Sequence, residues 1–252
     1  MNSLIVLTFV SEDYIPVGQN WLRHVETISP DAKVLIIALD RATEAAFPDN
    51  LVQYNPADEE GLAPLWRHRI EVLRKFLDQG YDVIHSDADA VWVRDPLPFL
   101  SECNAEMIFS QGTVWPPDVH AHHGLVLCCG FFYLRNTPSV RSFLSEVSHR
   151  VSLEKDDQAS INRLVDENGV TWRIENPYNI DFRGKVFLAS RKMIQSVVAV
   201  GPSVAVLPHH LFPRLVENLD QDVVVAHPLS EKNCEEKIEV LSKLGLWNVP
   251  QS

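Results

Sequence analysis

The chain has 252 residues, of which 46% are hydrophobic and 22% charged, and its formal net charge is -12. This composition is ordinary for a folded globular protein, and the length fits one large domain or two small ones. The excess of acidic residues argues against a nucleic-acid partner, because binding of a phosphate backbone needs clustered Lys and Arg. The charge does not exclude a nucleotide ligand, since a bound metal ion can supply positive charge locally.

No apolar run approaches the roughly 20 residues that cross a bilayer, and the apolar N-terminus lacks the basic region of a signal peptide. We therefore expect no transmembrane anchor, and we expect the chain to start directly with its fold. The cysteines match neither a disulfide framework nor the Cys-x-x-Cys spacing of a zinc site. They are Cys103, Cys128, Cys129 and Cys234. Free thiols are typical of a reducing compartment, so we predict a cytoplasmic protein.

Strand and helix patterns alternate in the first half of the chain. The pattern predicts helices from Pro16 to about Ile28 and over residues 62–79, where one apolar stripe runs along the helix until Gly80 ends it. Arg69 lies at the flank of this stripe, at the border between helix and sheet. Apolar runs predict strands at residues 4–10, 33–39, 51–54 and 105–110.

The second half of the chain is less regular. Residues 111–123 contain a glycine and paired prolines, so we expect a loop there. Residues 124–135 are apolar and aromatic and predict a core strand, whereas residues 171–208 alternate short strands and turns. Residues 223–226 predict a last buried strand that ends in His227. Further helices are predicted at residues 138–151, 156–168 and 232–244.

Together these elements predict an α/β fold with a Rossmann-like, mostly parallel central sheet flanked by helices. We expect residues 1–252 to form a single domain. Residues 1–110 would form the nucleotide-binding half, because strands and helices alternate there. Residues 111–252 would form a more variable half, and the family resemblance described below implies that this half binds the acceptor and the donor sugar.

Two aspartates one residue apart, Asp87 and Asp89, follow an apolar run bounded by Gly80 and Pro96. This pattern predicts a buried strand, and open α/β sheets bind ligands at the carboxyl ends of their strands. Carboxylate oxygens suit Mg²⁺ or Mn²⁺, and those cations suit diphosphates. Aspartates also occur often in turns, but two buried carboxylates so close repel each other and a cation removes that cost. We therefore favour a metal–diphosphate site.

Three further residues bear on this site. His227 ends a strand that we expect at the same sheet edge, and neutral imidazole is a good Mn²⁺ ligand beside two carboxylates. Asp157 and Gln158 open a predicted helix. An acidic helix N-terminus stabilises the helix dipole, and the same residues could bind a donor sugar or supply a catalytic carboxylate. The pattern alone does not decide between these two interpretations.

A histidine-rich stretch lies in the expected loop. His120, His122 and His123 could form a small metal site with Asp118, but their spacing matches no common one. We favour a lid or an acceptor contact for this loop, including Trp115. His209 and His210 show the same ambiguity, and we favour a turn or an acceptor contact there too.

The assembled pattern resembles the GT-A type nucleotide-diphospho-sugar transferases, and most of all glycosyltransferase family 77, which includes plant arabinosyl- and xylosyltransferases and a cytosolic galactosyltransferase. Residues 80–96 resemble that family's Asp-x-Asp strand almost residue for residue. The chain departs from the family at Arg69, where a lysine is usual, and at Pro228, where alanine usually follows the histidine. Further similar stretches lie at residues 20–22, 130–138, 157–162, 207–213 and 245–247.

This resemblance implies a GT-A fold and a retaining transfer of a sugar, galactose or a pentose, from a UDP-sugar to a glycan, protein or small-molecule hydroxyl acceptor. Asp89 and His227 would bind Mn²⁺ (or Mg²⁺), and Asp87 would reach the metal or the ribose. Asp157 and Gln158 would lie beside the donor sugar as catalytic candidates. The resemblance also implies residues that would hold the uracil, the diphosphate or the sugar: Thr8, Phe9, Val10, Tyr14, Arg69, Ser86, Ala88, Lys232 and Lys237.

Two alternatives stay open. Asp87, Asp89 and Val91 also satisfy the nucleophile motif of haloacid-dehalogenase-like phosphohydrolases, and the acidic residues at 156–157 mimic their later motif. That nucleophile normally follows the first strand, however, and here at least two strands come earlier. The other alternative is a nucleotide-sugar-binding protein that has lost turnover, although the expected metal ligands are all present.

Overall fold

A computed structural model describes residues 3–53, 62–230 and 233–249. Its strands in chain order are β1 Leu4–Val10, β2 Val34–Ala38, β3 Leu51–Gln53, β4 Asp82–Ser86, β5 Val91–Trp92, β6 Met107–Gln111, β7 Leu127–Leu134, β8 Thr171–Arg173, β9 Pro177–Phe182, β10 Lys185–Ser190, β11 Ile194–Val197, β12 Val204–Val206 and β13 Val225–Ala226. The helices are α1 Ile15–Ile28, α2 Arg41–Ala46, α3 Leu62–Asp78, α4 Leu97–Ser101, α5 Pro117–His123, α6 Pro138–Glu154, α7 Asp157–Glu167 and α8 Cys234–Lys243.

The central sheet has nine strands in the order β3-β2-β1-β4-β7-β6-β12-β11-β8. Strands β3, β2, β1 and β4 are parallel to one another, and β6 is parallel to β12. Strands β7 and β11 pair antiparallel with both of their neighbours, so they run against the other seven. This topology confirms the predicted α/β fold with a mostly parallel central sheet. Two small antiparallel sheets, β9–β10 and β5–β13, accompany it.

The hydrophobic core lies on both faces of the central sheet, because successive side chains of a strand point to opposite faces. Ile5 and Leu7 of β1 pack with α3, α6 and α7 on one face. Val6 and Val10 of the same strand pack with α1 and α8 on the other. The predicted stripe of α3 is buried in the first of these layers, and Gly80, with φ of 94°, lies just after the helix ends.

The structure corrects two predictions about secondary structure. Residues 111–123 are not a loop throughout, since Gln111 ends β6 and α5 begins at Pro117. Proline is tolerated in the first turn of a helix, where its missing N–H would have no intrahelical acceptor. The predicted strand at 223–226 shortens to β13, which pairs with β5 and does not join the central sheet. Tyr54, expected in the third strand, and Lys232 lie outside the described residues.

All four cysteines are free thiols, as expected. Within the described ranges, every helix is too short or too polar to cross a membrane.

Candidate functional site

A cavity of about 530 Å³ opens at the carboxyl ends of β1, β2 and β4. Its volume is typical of small-molecule sites, which usually occupy a few hundred cubic ångströms. The walls combine aromatic side chains with a concentration of charged ones. The charged lining residues are Arg69, Asp87, Asp89, Asp156, Asp157, Arg214, His227 and Lys237, and the aromatic ones are Phe9, Tyr14, Trp66 and Trp115.

The Asp-x-Asp stretch forms a tight turn at the end of β4. The backbone N–H of Asp87 donates to Gly130 O at 2.7 Å, and that of Ala90 donates to Asp87 O at 2.8 Å. Ser86 is completely buried beneath the turn, where its hydroxyl donates to Ala90 O and accepts from the indole N–H of Trp21 at 3.0 Å. The turn interpretation of these aspartates is therefore correct, and the turn also directs both carboxylates into the cavity.

Asp87, Asp89 and His227 meet at one point of the cavity wall. His227 Nε2 lies 3.3 Å from Asp89 Oδ1 and 3.8 Å from Asp87 Oδ2. Each residue offers one ligand atom, and the three atoms lie within 4.8 Å of one another. Gly130 of β7 leaves room for them, because a Cβ there would lie 1.9 Å from His227 Cε1. Two carboxylates and an imidazole around one point fit a divalent cation.

Positively charged side chains flank this cluster on both sides. Lys237 Nζ forms an ion pair with Asp89 Oδ2 and donates to Ser230 Oγ at 3.2 Å. Burial raises the pKa of Asp89, but His227 and Lys237 lower it by more, so the net pKa is well below its usual range. The pKa of Asp87 is also lowered. Burial raises this pKa, but the hydrogen bond to His85 and the charge of Arg69 lower it by more.

Arg69 connects α7 to the group formed by Asp87, Asp89 and His227, which we call the metal-ligand cluster because it could hold a cation. Its Nη1 donates to Asp87 Oδ1 at 3.2 Å, and its Nε donates to Asp157 Oδ2 at 2.6 Å. Asp157 is 2% exposed, so the ion pair is nearly dry. Burial lowers the pKa of Arg69, but Asp157 and Asp87 raise it by more, and the guanidinium stays charged. Arg69 therefore lies inside the candidate site, on a side chain that leaves the helix at the border with the sheet.

Gln158, the residue after Asp157, bridges two parts of the cavity wall. Its Oε1 accepts from the backbone N–H of Cys129 in β7 at 3.1 Å, and its Nε2 donates to Trp115 O at 2.9 Å. The indole N–H of Trp115 donates to Asp156 Oδ2 at 3.2 Å. The Asp156 side chain also caps α7 by accepting from Ala159 N. Asp156 thus caps the helix, as the first interpretation of this acidic segment has it, while Asp157 faces the cavity.

His85 belongs to the site and was missed from the sequence. It is completely buried between the rings of Phe9 and Phe132, and its Nε2 lies 3.0 Å from Asp87 Oδ1. Burial lowers its pKa to about 4, so the ring is neutral. The available signal was its spacing, since a residue two positions before Asp87 in a strand shares the same face.

Cys128 was assigned to the core, but it also lines the cavity. Its Sγ lies 3.9 Å from His227 Nδ1. Burial raises the pKa of the thiol, but Arg214 and His227 lower it by more, to about 7. Arg214 also donates to His227 O at 3.1 Å, so it holds the backbone of His227, one of the three residues that could bind a metal.

The predicted site residues divide into two groups. Those that line the cavity are Phe9, Tyr14, Arg69, Asp87, Ala88, Asp89, Asp157, Gln158, His227 and Lys237. Thr8, Val10 and Ser86 are completely buried and are not among the described lining residues, so their side chains do not serve the predicted contacts. In β1, alternation explains this result, because Thr8 and Val10 face away from Phe9.

Comparison with known proteins identifies the family. Residues 31–241 match the family model described as nucleotide-diphospho-sugar transferase, and the chain belongs to this family. The chain is 24% identical over 199 residues to UDP-D-xylose:L-fucose alpha-1,3-D-xylosyltransferase MGP4 of Arabidopsis thaliana, a match that covers 71% of this chain and 55% of that protein. It is 26% identical over 106 residues to UDP-galactose:fucoside alpha-3-galactosyltransferase of Dictyostelium discoideum, covering 42% and 16% respectively.

The chain spans about half the length of the Arabidopsis xylosyltransferases it matches. Among solved structures, an active-site mutant of LgtC is similar with a TM-score of 0.54 at 12% identity, over 98% of both chains. At this identity the likeness shows the fold alone, and it confirms the expected GT-A fold. Neither kind of comparison favours a phosphohydrolase.

Proposed function

We propose that this chain is a metal-dependent glycosyltransferase that moves a sugar from a UDP-sugar to a hydroxyl acceptor. The observation that carries the proposal is the convergence of Asp87, Asp89 and His227 beside Lys237 in one cavity. Membership of the family supports the reaction class. Loss of turnover is not indicated by this ligand set, because all three of its members are present.

The donor set supports Mn²⁺ or Mg²⁺ as the cofactor, held by Asp87, Asp89 and His227. Carboxylate oxygens suit both ions, and the imidazole shifts the preference toward Mn²⁺. When bound, such an ion supplies positive charge that stabilises the leaving diphosphate. The ammonium of Lys237 lies beside the same carboxylates and provides a second positive charge for that group.

The remaining lining residues suggest how a UDP-sugar would lie. Phe9 and Tyr14 offer aromatic surface for the uracil at the end of β1. Lys237, beside Asp89, suits the diphosphate. Arg69 and Asp157 would then face the donor sugar, since their ion pair lies between the metal-ligand cluster and α7.

In the transfer that we propose, the acceptor oxygen bonds to the anomeric carbon and passes its proton to the leaving phosphate oxygen of UDP. The C–O bond to UDP breaks with its electron pair on the leaving phosphate. Positive charge develops on the sugar, and the carboxylate of Asp157 would stabilise it. Arg69 keeps that carboxylate oriented. Retention of configuration is proposed from the family resemblance, and Gln158 would help to position the sugar from the neighbouring wall.

The donor is proposed to be a UDP-pentose or UDP-galactose, following the xylosyl- and galactosyltransferases named above. The names of the Arabidopsis xylosyltransferase and of the Dictyostelium galactosyltransferase give L-fucose and a fucoside, respectively, as the second substrate. A terminal fucose is therefore the first acceptor to test. Other glycans, a protein hydroxyl and small-molecule hydroxyls follow as further candidates.

The test is release of UDP from UDP-xylose, UDP-arabinose and UDP-galactose, each with Mn²⁺, with Mg²⁺ or with EDTA, and with or without a fucoside. Asp89→Ala is expected to abolish turnover because it removes a metal ligand. Asp31→Ala removes an exposed carboxylate from a surface loop and should leave turnover unchanged. The anomeric configuration of the product, read by NMR, tests retention.

Two results would contradict the proposal. One is a wild-type protein that turns over none of these donors and binds them no better than Asp89→Ala does. The other is hydrolysis of a phosphomonoester that Asp87→Asn abolishes, which would revive the phosphohydrolase alternative.

We also infer that residues 1–252 act as one domain, because residues on both sides of position 110 line one cavity. The cytoplasmic location stays a prediction from cysteine usage, and cell fractionation would test it.

A further inference from the structure

A second group of metal-ligating side chains lies between α5 and α7. His122 Nδ1 lies 2.7 Å from Asp166 Oδ1, and His123 Nε2 lies 2.8 Å from the same oxygen. As in the cavity, one ligand atom from each residue lies within 4.8 Å of the others. The three residues are not among the described residues that line the cavity, so they form a separate cluster. We call it the His-His-Asp cluster.

The local fold makes this convergence. His122 and His123 are the last two residues of α5, and Gly124 ends the helix in the left-handed conformation with φ of 72°. Their rings lie nearly parallel, with centroids 4.2 Å apart and an interplanar angle of 31°. Both rings therefore direct a nitrogen to the same carboxylate, which belongs to the last turn of α7.

One histidine of the cluster is packed against the protein and the other is exposed to solvent. His123 packs edge-on against Trp172, with ring centroids 6.3 Å apart, and its side chain is 10% exposed. The side chain of His122 is 66% exposed, so solvent reaches the converging nitrogens. A second contact between the two helices, from Arg163 Nε to Asp118 Oδ2 at 2.7 Å, fixes α5 on α7.

We propose that the His-His-Asp cluster is a Zn²⁺ site with three protein ligands and water in the open position. Two neutral imidazoles and one carboxylate are a common zinc donor set. Around a tetrahedral Zn²⁺ with bonds of about 2.0–2.1 Å, ligand atoms lie about 3.3 Å apart, so the cluster must open by only about half an ångström. Small rotations of the exposed His122 ring and of the Asp166 carboxylate, whose side chain is 28% exposed, provide this opening.

The two clusters differ in the metal that they favour. The His-His-Asp cluster has one oxygen donor and two imidazoles, a set that suits Zn²⁺. The cavity cluster has two carboxylates and one imidazole, which suits Mn²⁺ better. A zinc ion at the second cluster would join the end of α5 to the end of α7, whose first turn carries Asp157 and Gln158. Its effect would be to stabilise this part of the fold, and it goes beyond the proposed transferase activity.

Without metal, the same contacts are two hydrogen bonds from the histidines to Asp166. The experiment must separate these two descriptions. Protein stripped with EDTA and dialysed would be titrated with Zn²⁺ by calorimetry, and with Co²⁺ while visible absorption is recorded. Wild type, His122→Ala and Asp166→Asn would be compared. His149→Ala, an exposed histidine of α6, is the matched control.

We expect His122→Ala and Asp166→Asn each to weaken Zn²⁺ binding more than a hundredfold, because loss of even an outer-shell partner costs about 10–100-fold. The control should bind as wild type does. In an Asp89→Ala background, which damages the cavity cluster, Zn²⁺ should still raise the melting temperature and Co²⁺ should still give the intense bands of a four- or five-coordinate ion.

Unchanged Zn²⁺ affinity in His122→Ala would overturn the proposal, as would loss of all Zn²⁺ binding in Asp89→Ala protein whose circular dichroism matches wild type. Either result would leave the transferase proposal intact. Conversely, failure of UDP-sugar turnover would leave this zinc site untouched, because its readouts are binding, spectrum and melting temperature.

Discussion

Gly130→Ala is expected to break the metal-ligand cluster without straining the backbone of β7. A Cβ at this position would lie 1.9 Å from His227 Cε1, 2.6 Å from His227 Nδ1 and 2.8 Å from Asp87 Oδ2. The φ of Gly130 is not in the left-handed region, so alanine itself is compatible with the strand. The effect must therefore come from the collision with the imidazole.

The size of the effect follows from the distance that the ring must move. Ordinary contact begins at 3.4 Å, so the His227 ring must move from 1.9 Å by about 1.5 Å. A metal ligand tolerates a displacement of only about 0.2 Å, so His227 would no longer coordinate. We expect a loss of Mn²⁺ affinity of more than a hundredfold, since changes outside the ligand shell already cost about 10–100-fold. Overpacking should also lower the free energy of unfolding by about 1–3 kcal/mol.

The assay is Mn²⁺ binding by calorimetry, together with urea unfolding, in a double-mutant cycle with His227→Ala. Removing the imidazole removes most of the collision, so Gly130→Ala should cost much less stability in the His227→Ala background than in wild type. Wild-type Mn²⁺ affinity in Gly130→Ala would refute the reasoning. So would an equal loss of stability in both backgrounds, because it would show that the imidazole is not what the new methyl group meets.

Three further predictions follow from the buried groups. Arg69→Met leaves Asp157 buried without its partner and should lower the free energy of unfolding by about 3–5 kcal/mol. The double variant Arg69→Met with Asp157→Leu should recover most of this loss of stability. Equal unfolding curves for the single and the double variant would contradict a stabilising role of the ion pair. His85→Phe keeps the aromatic packing but removes the hydrogen bond to Asp87. The Mn²⁺ affinity should therefore fall about 10–100-fold while the melting temperature stays unchanged. Unchanged Mn²⁺ affinity would show that His85 does not position Asp87. Burial lowers the pKa of His209 to about 4, so as pH falls His209 binds its proton in the unfolded chain before it does so in the folded protein. The free energy of unfolding should therefore fall by up to about 3 kcal/mol as pH drops from about 6.5 to 4. His209→Gln should reduce the slope of stability against pH by this share and leave the share of His85, whose pKa is also lowered to about 4; a slope equal to that of wild type would assign the whole dependence to other groups.

The parts of the fold that the sequence predicts well are those with local causes. The apolar stripe of α3 and the apolar run of β7 bury their residues in any compact arrangement, so both elements appear where the pattern indicates. Helix α5 was missed because paired prolines usually mark a loop, although a proline also fits the first turn of a helix. Strand β13 could not be assigned correctly, because its pairing with β5 depends on a contact between residues more than a hundred positions apart.

The candidate site divides in the same way. Asp87, Asp89 and His227 could be found because their side chains have ligand chemistry at the ends of apolar runs. The pairing of Arg69 with Asp157 spans 88 positions, and only the packing of α3 beside α7 creates it. Gly130 carries no chemical signal in the sequence, since its role is the space that it leaves. Lys237 was expected from family resemblance alone, and the structure places it beside Asp89.

Through its ion pair with Asp89, the ammonium of Lys237 in α8 balances one of the negative charges in the cavity. A divalent cation that binds Asp89 competes with this ammonium for the negative charge of the carboxylate, so in the absence of an anion the ion pair of Lys237 is weakened. A diphosphate offers Lys237 a new partner, so each ligand should raise the affinity for the other by the same factor. The cavity would then select for the metal–nucleotide complex over either component alone, and Lys237→Met should weaken that reciprocal coupling.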